Sequence, residues 1–431
     1  MLHDRDPVIV SGVRTPFARA GTVLARVGAV ELARAAVREA VERSEIDPDA
    51  LDEVVIGNVC GPANAPNMAR VVSLLAKVPA RVPAMTVGRN CASGIEAVTT
   101  AASRIRAGEA ELVIAAGVES MSTFPLLFSD EAREAMAPVL RRKSRLRRLA
   151  AAARVRPRHL WPVPALALGL RDPVSGLSMG ESADRLSRAF GVVREEQDAW
   201  ASRSHRLAAA AWSAGRMDRE VAPFPVPPDF ESAIFRDNGI RENTEHSALA
   251  KLPPAFDGRF GTVTAGNSCQ ISDGAVALVL ASRARARALG LPIVGWLRAW
   301  AATGCDPARM GLGPVFAAPA ALRRAGGLSL DRMDLVEIHE AFAAQVLACR
   351  RALESRAFCE EHLGSGPVGS LDPERLNVNG GAIAIGHPLG ASGARLVLTL
   401  ALEMDRRGAS LGLAATCVGG GQGAAVVLER A

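Results

Sequence analysis

Two glycine-rich segments about 300 residues apart repeat one pattern, and that repetition constrains the fold more than any other feature of the chain. The first runs Asn90, Cys91, Ala92, Ser93, Gly94 and continues IEAVTTAASRIRAGEAELVIAAG. The second, GHPLGASGARLVLTLALEMDRRGASLGLAATCVGGG, carries His387 and Cys417. Both contain ASG, at 92–94 and 391–393, then helix-patterned sequence, a glycine and a short apolar run at 112–116 or 411–415. Upstream, PVIVSGVRTPF at 7–17 resembles PIVGWLRAW at 292–300, and DALDEVVIGNV at 49–59 resembles DRMDLVEIHEAF at 331–342. Four matched pairs in one order argue for a single supersecondary unit used twice.

Strand-like apolar runs at 7–12, 53–59, 112–117, 275–281, 293–298, 334–338, 411–416 and 424–428 alternate with helical periodicity at 29–43, 92–107, 316–325, 341–354 and 391–406. Such alternation predicts an α/β architecture. The region between the halves differs: it is rich in proline, carries the basic run RRKSRLRR at 141–148, and has helix-like stretches at 181–190 and 194–214. It reads as an inserted cap. The expected division is an N-terminal half at 1–125, rejoined by 258–287, an inserted loop or cap domain at 126–257, and a C-terminal half at 288–431.

Seven cysteines at irregular spacing, with no CxxC pair, indicate neither a disulfide framework nor a zinc site, so reduced thiols in a cytoplasm are expected. The first residues lack the basic and apolar regions of a secretory signal, and no apolar run is long enough to span a bilayer. A net charge of +6 over 431 residues suits anionic substrates and gives no argument for nucleic acid.

Cys91 precedes a helical pattern, where unpaired backbone N–H groups and the helix dipole would stabilise a thiolate and lower its pKa. Local sequence leaves a buried structural cysteine as the equal alternative. His387 precedes the second ASG as Cys91 precedes the first, so symmetry would bring the two helix starts together. Cys417 ends the apolar run of the second copy and enters VGGGQG. Two thiols and an imidazole converging there would divide covalent and proton-transfer work. Other motifs fail on context. The GxSxG pattern at Gly176–Gly180 follows RDPVS rather than a buried strand, and the GxGxxA pattern from Gly419 runs into a strand rather than a helix.

NCASGIEAV at 90–98, HEAFAAQ at 339–345, NGGAIAIGHPLGASGAR at 379–395 and CVGGGQGAA at 417–425 resemble the thiolases, and VRTPF at 13–17, ESMS at 119–122 and GTVTAGNSCQISDGA at 261–275 extend the likeness over the whole chain. The resemblance implies a layered αβαβα thiolase fold and an acyltransferase with no resident cofactor or metal, acting on coenzyme A and acyl-CoA thioesters. It implies that Cys91 becomes acylated, that His387 activates it and donates into an oxyanion hole, and that Cys417 moves the substrate protons. The backbone N–H of Cys91 and of Gly419 would form a second oxyanion hole.

Where many thiolases have an asparagine that holds a water in the first oxyanion hole, this chain has His339, which the resemblance thereby places among the catalytic residues and which looks like the β-subunits of trifunctional fatty-acid oxidation complexes and their bacterial relatives. That subgroup implies a 3-ketoacyl-CoA thiolase of β-oxidation. A short-chain acetoacetyl-CoA thiolase and a non-catalytic acyl-CoA binder are the alternatives. Cys269 replaces a usual serine near the pantetheine, with Ser268, Met179 and Arg241 matching other positions near CoA. Cys60, Cys305, Cys349 and Cys359 match no catalytic motif and read as packing. The resemblance further implies a homodimer or homotetramer and a hydratase/dehydrogenase partner subunit. The basic run, followed by LWPVPALALGL at 160–170, has three readings: a solvated face, docking to a partner or an anionic membrane, or contact with CoA phosphates.

Overall fold

The computed structural model describes residues 3–242, 244 and 246–430. In the first half, β1 (Pro7–Arg14), α1 (Ala29–Ser44), β2 (Glu53–Gly57), α2 (Met68–Leu75), β3 (Ala84–Val87), α3 (Ser93–Ala107) and β4 (Leu112–Ser120) follow one another, and β5 (Ser272–Ser282) returns after the insert. The insert contributes α4 (Asp130–Arg141), α5 (Arg145–Ala152), α6 (Ala165–Gly169), α7 (Met179–Ala189) and α8 (Arg194–Ser213). The second half has β6 (Gly295–Gly304), α9 (Gly313–Arg324), β7 (Leu335–Ile338), α10 (Ala343–Glu354), α11 (Leu389–Arg407), β8 (Leu411–Val418) and β9 (Gln422–Glu429).

The strands form a sheet in the order β7-β8-β9-β6-β1-β5-β4-β2-β3. The order is the same read inward from either end. In the first half β2 pairs parallel with β4, which pairs antiparallel with β5; in the second β7 pairs parallel with β8, which pairs antiparallel with β9. Even the edge strand β3 has a trace of a counterpart, because Leu376 bridges Val336 in parallel. The halves meet where Val8 and Ile9 of β1 face Trp296 and Gly295 of β6. All four sequence repeats therefore fall on equivalent elements. The β5/β9, α1/α9 and α2/α10 correspondences went unseen because they share burial pattern rather than residues.

Period-two alternation sorts the strand residues into layers. Leu112, Ile114 and Ala116 face an outer core with Leu32, Ala36 and Val37 of α1 and Met68 and Val72 of α2. Val113 and Ala115 face a central core with Ile95, Val98 and Ala102 of α3 and Leu396, Val397 and Leu400 of α11. A third core packs Val315 and Ala318 of α9 and Val346 of α10 on Leu413 and Val427. The result is αβαβα, with α3 and α11 as the middle layer.

Those two helices cross at their ASG tripeptides. A Cβ on Gly94 would collide with the backbone N of Ala394, and one on Gly393 with that of Ile95. Each repeat keeps glycine because the partner helix passes there, and the crossing brings both helix starts to one place. No helix among the described residues is long and apolar enough to cross a membrane.

Candidate active site

Cys91 lies in a single 3₁₀ turn, Asn90–Ala92, that leads directly into α3. Asn90 is held at φ 43°, in the left-handed region that few residues adopt. Three bonds hold the turn: Ser93 Oγ accepts from Arg89 N at 2.9 Å and donates to Asn90 O at 2.7 Å, and Asn90 Nδ2 donates to Gly419 O at 2.8 Å. The last of these ties the nucleophile turn of one half to the loop after β8 of the other.

His387 stands two residues before α11, with its backbone N donating to Gln270 O at 3.0 Å. Its Nδ1 lies 2.6 Å from Ser392 Oγ, and Ser392 gives its one hydroxyl proton to Pro388 O at 3.0 Å. Ser392 can then only accept from the imidazole, so Nδ1 carries the proton and Nε2 is the basic nitrogen. Burial first, and then the charge of Arg395, push His387 down to about 3. Arg395 is itself buried, with its guanidinium donating to Glu337 at 2.9 Å. His387 is accordingly a neutral base at physiological pH.

Burial also governs the thiols. It pushes Cys91 above its ordinary value, against the stabilising N–H groups of Gly419 and of Cys91 itself, and the Glu119 charge adds to the rise. The expected lowering of this thiol by the helix start is therefore overturned in the resting protein: removing a thiolate from water costs more than one helix terminus returns. Cys417, at the end of β8 and buried, is held well above its ordinary value by burial and by the neighbouring cysteines. A cavity of about 350 Å³ is lined by Cys91, His387, Cys417, Gly419, Cys269 and Met179.

The remaining expected residues are placed elsewhere. His339 follows β7, fully buried, with its ring centroid 4.0 Å from that of His387, so it backs the imidazole rather than lining the cavity. Neither of its ring nitrogens has a protein partner, and burial, His387 and Arg395 push it well below its ordinary value. Ser268 turns its hydroxyl to Thr264 O at 2.6 Å and is not a wall residue. Arg241 is exposed and away from the cavity, its backbone N donating to His205 Nδ1 at 3.2 Å. Cys349 and Cys359 are core residues, whereas Cys60 and Cys305 are only partly buried. Burial raises the Cys269 thiol to about 12, so it is a neutral wall group.

Several wall residues were not legible in the sequence. Phe124, just before the insert, and Leu166, Leu170 and Val174 within it give the cavity an apolar side, and Arg171 adds a cation. The apolar segment 160–170 was the available signal, since part of it turns inward here. The six basic residues of 141–148 are exposed and none lines the cavity. Ser178 of the GxSxG pattern caps α7 through a reciprocal pair with Glu181, which accounts for that motif without catalysis.

The chain matches the family models for the thiolase N-terminal domain over residues 7–284 and the thiolase C-terminal domain over 291–430. It is 41% identical over 423 residues to a 3-ketoacyl-CoA thiolase of Escherichia coli (strain 55989 / EAEC), covering 98% of this chain and 96% of that one. Human mitochondrial 3-ketoacyl-CoA thiolase in complex with CoA superposes with a TM-score of 0.85 at 34% identity, covering 100% of this chain and 99% of that one. Bacillus anthracis acetyl-CoA acetyltransferase gives a TM-score of 0.85 at 35% identity, covering 99% of each chain.

Proposed function

The chain belongs to the thiolase family, and from that premise we propose that it is a 3-ketoacyl-CoA thiolase, cleaving 3-ketoacyl-CoA with CoA to acyl-CoA and acetyl-CoA in fatty-acid β-oxidation. The observation that carries the chemistry is the convergence of Cys91, His387 and Cys417 on one cavity from both halves. Because the thiol is neutral at rest and His387 is a neutral base, activation is a proton transfer from Cys91 to His387 on substrate binding.

The Cys91 sulfur then attacks the 3-keto carbon, and the new imidazolium N–H faces the oxyanion. The bond between carbons 2 and 3 breaks, its electron pair passes to the acetyl-CoA enolate, and Cys417 protonates that carbon. The acyl group stays on Cys91 as a thioester. Incoming CoA gives its thiol proton to the Cys417 thiolate, attacks the thioester and leaves as acyl-CoA, with His387 returning the proton to Cys91. The N–H groups of Cys91 and Gly419 serve the second oxyanion. Intact-mass analysis after mixing with acyl-CoA tests this: one acyl adduct on Cys91 and ping-pong kinetics are expected, and a protein that turns over without acylating Cys91 overturns it.

The apolar wall of Phe124, Leu166, Leu170 and Val174 supports acyl chains longer than acetoacetyl. A chain-length panel of 3-ketoacyl-CoA substrates separates this from the acetyl-CoA acetyltransferase reading, which predicts that acetoacetyl-CoA is preferred. We place the work in a reducing cytoplasm, in keeping with seven free cysteines, and read 126–257 as a cap inserted between halves 1–125 with 258–287 and 288–431.

Two features support partners. The terminal strand β3 leaves one edge unpaired and so can extend the sheet into a second copy, with sedimentation as the test. The outcrop around 126–161 exposes Leu140, Leu146, Leu149 and Trp161 beside the basic run, with Trp161 80% exposed, which suits peripheral contact with an anionic lipid surface. Liposome flotation at low salt reads that contact, and an unbound protein removes it.

A further inference from the structure

Glu119 is a fully buried carboxylate that the catalytic scheme leaves unused. It lies near the end of β4, one residue from the strand's last position. Its Oε1 accepts from Asn58 Nδ2 at 3.0 Å and from Cys60 N at 3.1 Å; its Oε2 accepts from Val59 N at 3.0 Å and from Gly390 N at 3.1 Å. No cation pairs with it among the described residues. Four N–H donors stand where a counter-ion would, offsetting part of the burial that pushes Glu119 up to about 7, and the one from Gly390 belongs to the first turn of α11, where the helix dipole favours negative charge.

These donors come from both halves of the molecule. Asn58, Val59 and Cys60 follow β2 of the first half, and Val59 lines the cavity. Gly390 belongs to the second half, three residues after His387. The seam is tight, since a Cβ on Gly390 would collide with Val118 O and would come within 2.8 Å of Gly57 O. At the offset that separates the two ASG tripeptides, the counterpart of Glu119 is Val418, and the counterpart of Gly390 is Cys91. The second half holds the start of α3 through the bond from Asn90 Nδ2 to Gly419 O. The first half holds the start of α11 through Glu119.

We propose that Glu119 is a positioning residue that fixes His387 against Cys91 across the seam between the halves. The proposal rests on the thiolase reading, in which His387 is the base for Cys91. An amide in place of the carboxylate would point its own N–H groups at N–H donors, so Glu119→Gln keeps the volume and loses the clamp. Glu119→Asp keeps the charge and shortens the reach.

The experiment follows alkylation of Cys91 by iodoacetamide across pH in the full chain, together with steady-state kcat and KM, in Glu119→Gln, Glu119→Asp, His387→Ala and the double variant Glu119→Gln/His387→Ala. Glu119→Gln is expected to lower kcat and alkylation near neutral pH about tenfold or more with KM within threefold of wild type, and Glu119→Asp to recover part of the loss. In the His387→Ala background, adding Glu119→Gln is expected to alter alkylation less than twofold, because the two act through one contact. Full, additive losses in both backgrounds, or kcat and alkylation within threefold of wild type in Glu119→Gln, overturn the positioning role. If Glu119→Gln does not fold, Glu119→Asp carries the same comparison. Unchanged alkylation in His387→Ala alone would instead overturn the role of His387 as base, which is a separate failure.

Discussion

The two halves share a strand order, a middle-layer helix and a glycine crossing, yet their equivalent helix starts are set in opposite environments. The start of α3 offers Cys91, half-buried and open to the cavity, on a turn with a left-handed Asn90. The start of α11 offers His387, buried, with Nδ1 locked by Ser392 and Arg395 behind it. The strands that follow those helices differ too: β4 carries the buried carboxylate Glu119 one residue before its end, and β8 carries the thiol Cys417 one residue before its end, ahead of a glycine turn. Symmetry delivers the groups to one point, and its local violation decides which group bonds to carbon and which handles protons.

Removing groups one half at a time tests that division, beginning with the largest effect. Cys91→Ala should lose about 10⁴-fold or more of thiolysis and show no acyl adduct by mass spectrometry, since the nucleophile itself is gone. Cys417→Ala should also lose overall turnover but still acylate Cys91 from acyl-CoA; failure to acylate would mean the halves do not divide the work. For His387→Ala a fall of about 10²–10⁴-fold in kcat/KM is expected, the range of a lost general base.

The halves can also be compared without chemistry. Gly94→Ala and Gly393→Ala put the same methyl into the same crossing from opposite sides, so each should cost about 1–3 kcal/mol by chemical denaturation, with similar values. A large inequality would show that one half bears the crossing alone. The last comparison is one of pH. A histidine held low in the folded state binds its proton only on unfolding, so His387 costs stability as pH falls from about 6.5 toward about 3. The slope is about 1.4 kcal/mol per pH unit, and denaturant midpoints should flatten in this window when His387→Ala is introduced.

The repeats and the motif residues made much of the site legible. Cys91, His387, Cys417 and Gly419 lie in long local patterns, and their meeting followed from two matched ASG segments. No local pattern places Arg241 or Ser268, because a single residue in a loop has no periodicity. The apolar wall from 166–174, and Phe124 at its border, was hidden because an inserted segment packs by shape, with no repeat to register it. Glu119 appeared only as part of a motif; its four donors come from residues 58–60 and 390, which no local pattern connects.

By itself the sequence determined that the chain is a duplicated α/β scaffold and which residue types stand at its helix starts, because strand and helix periodicity and glycine at a close crossing are written in neighbouring positions. Only the tertiary structure decided the protonation of those residues. Desolvation depends on everything packed around a group, and here it keeps Cys91 a thiol and His387 a neutral base, against what the helix terminus alone would have dictated.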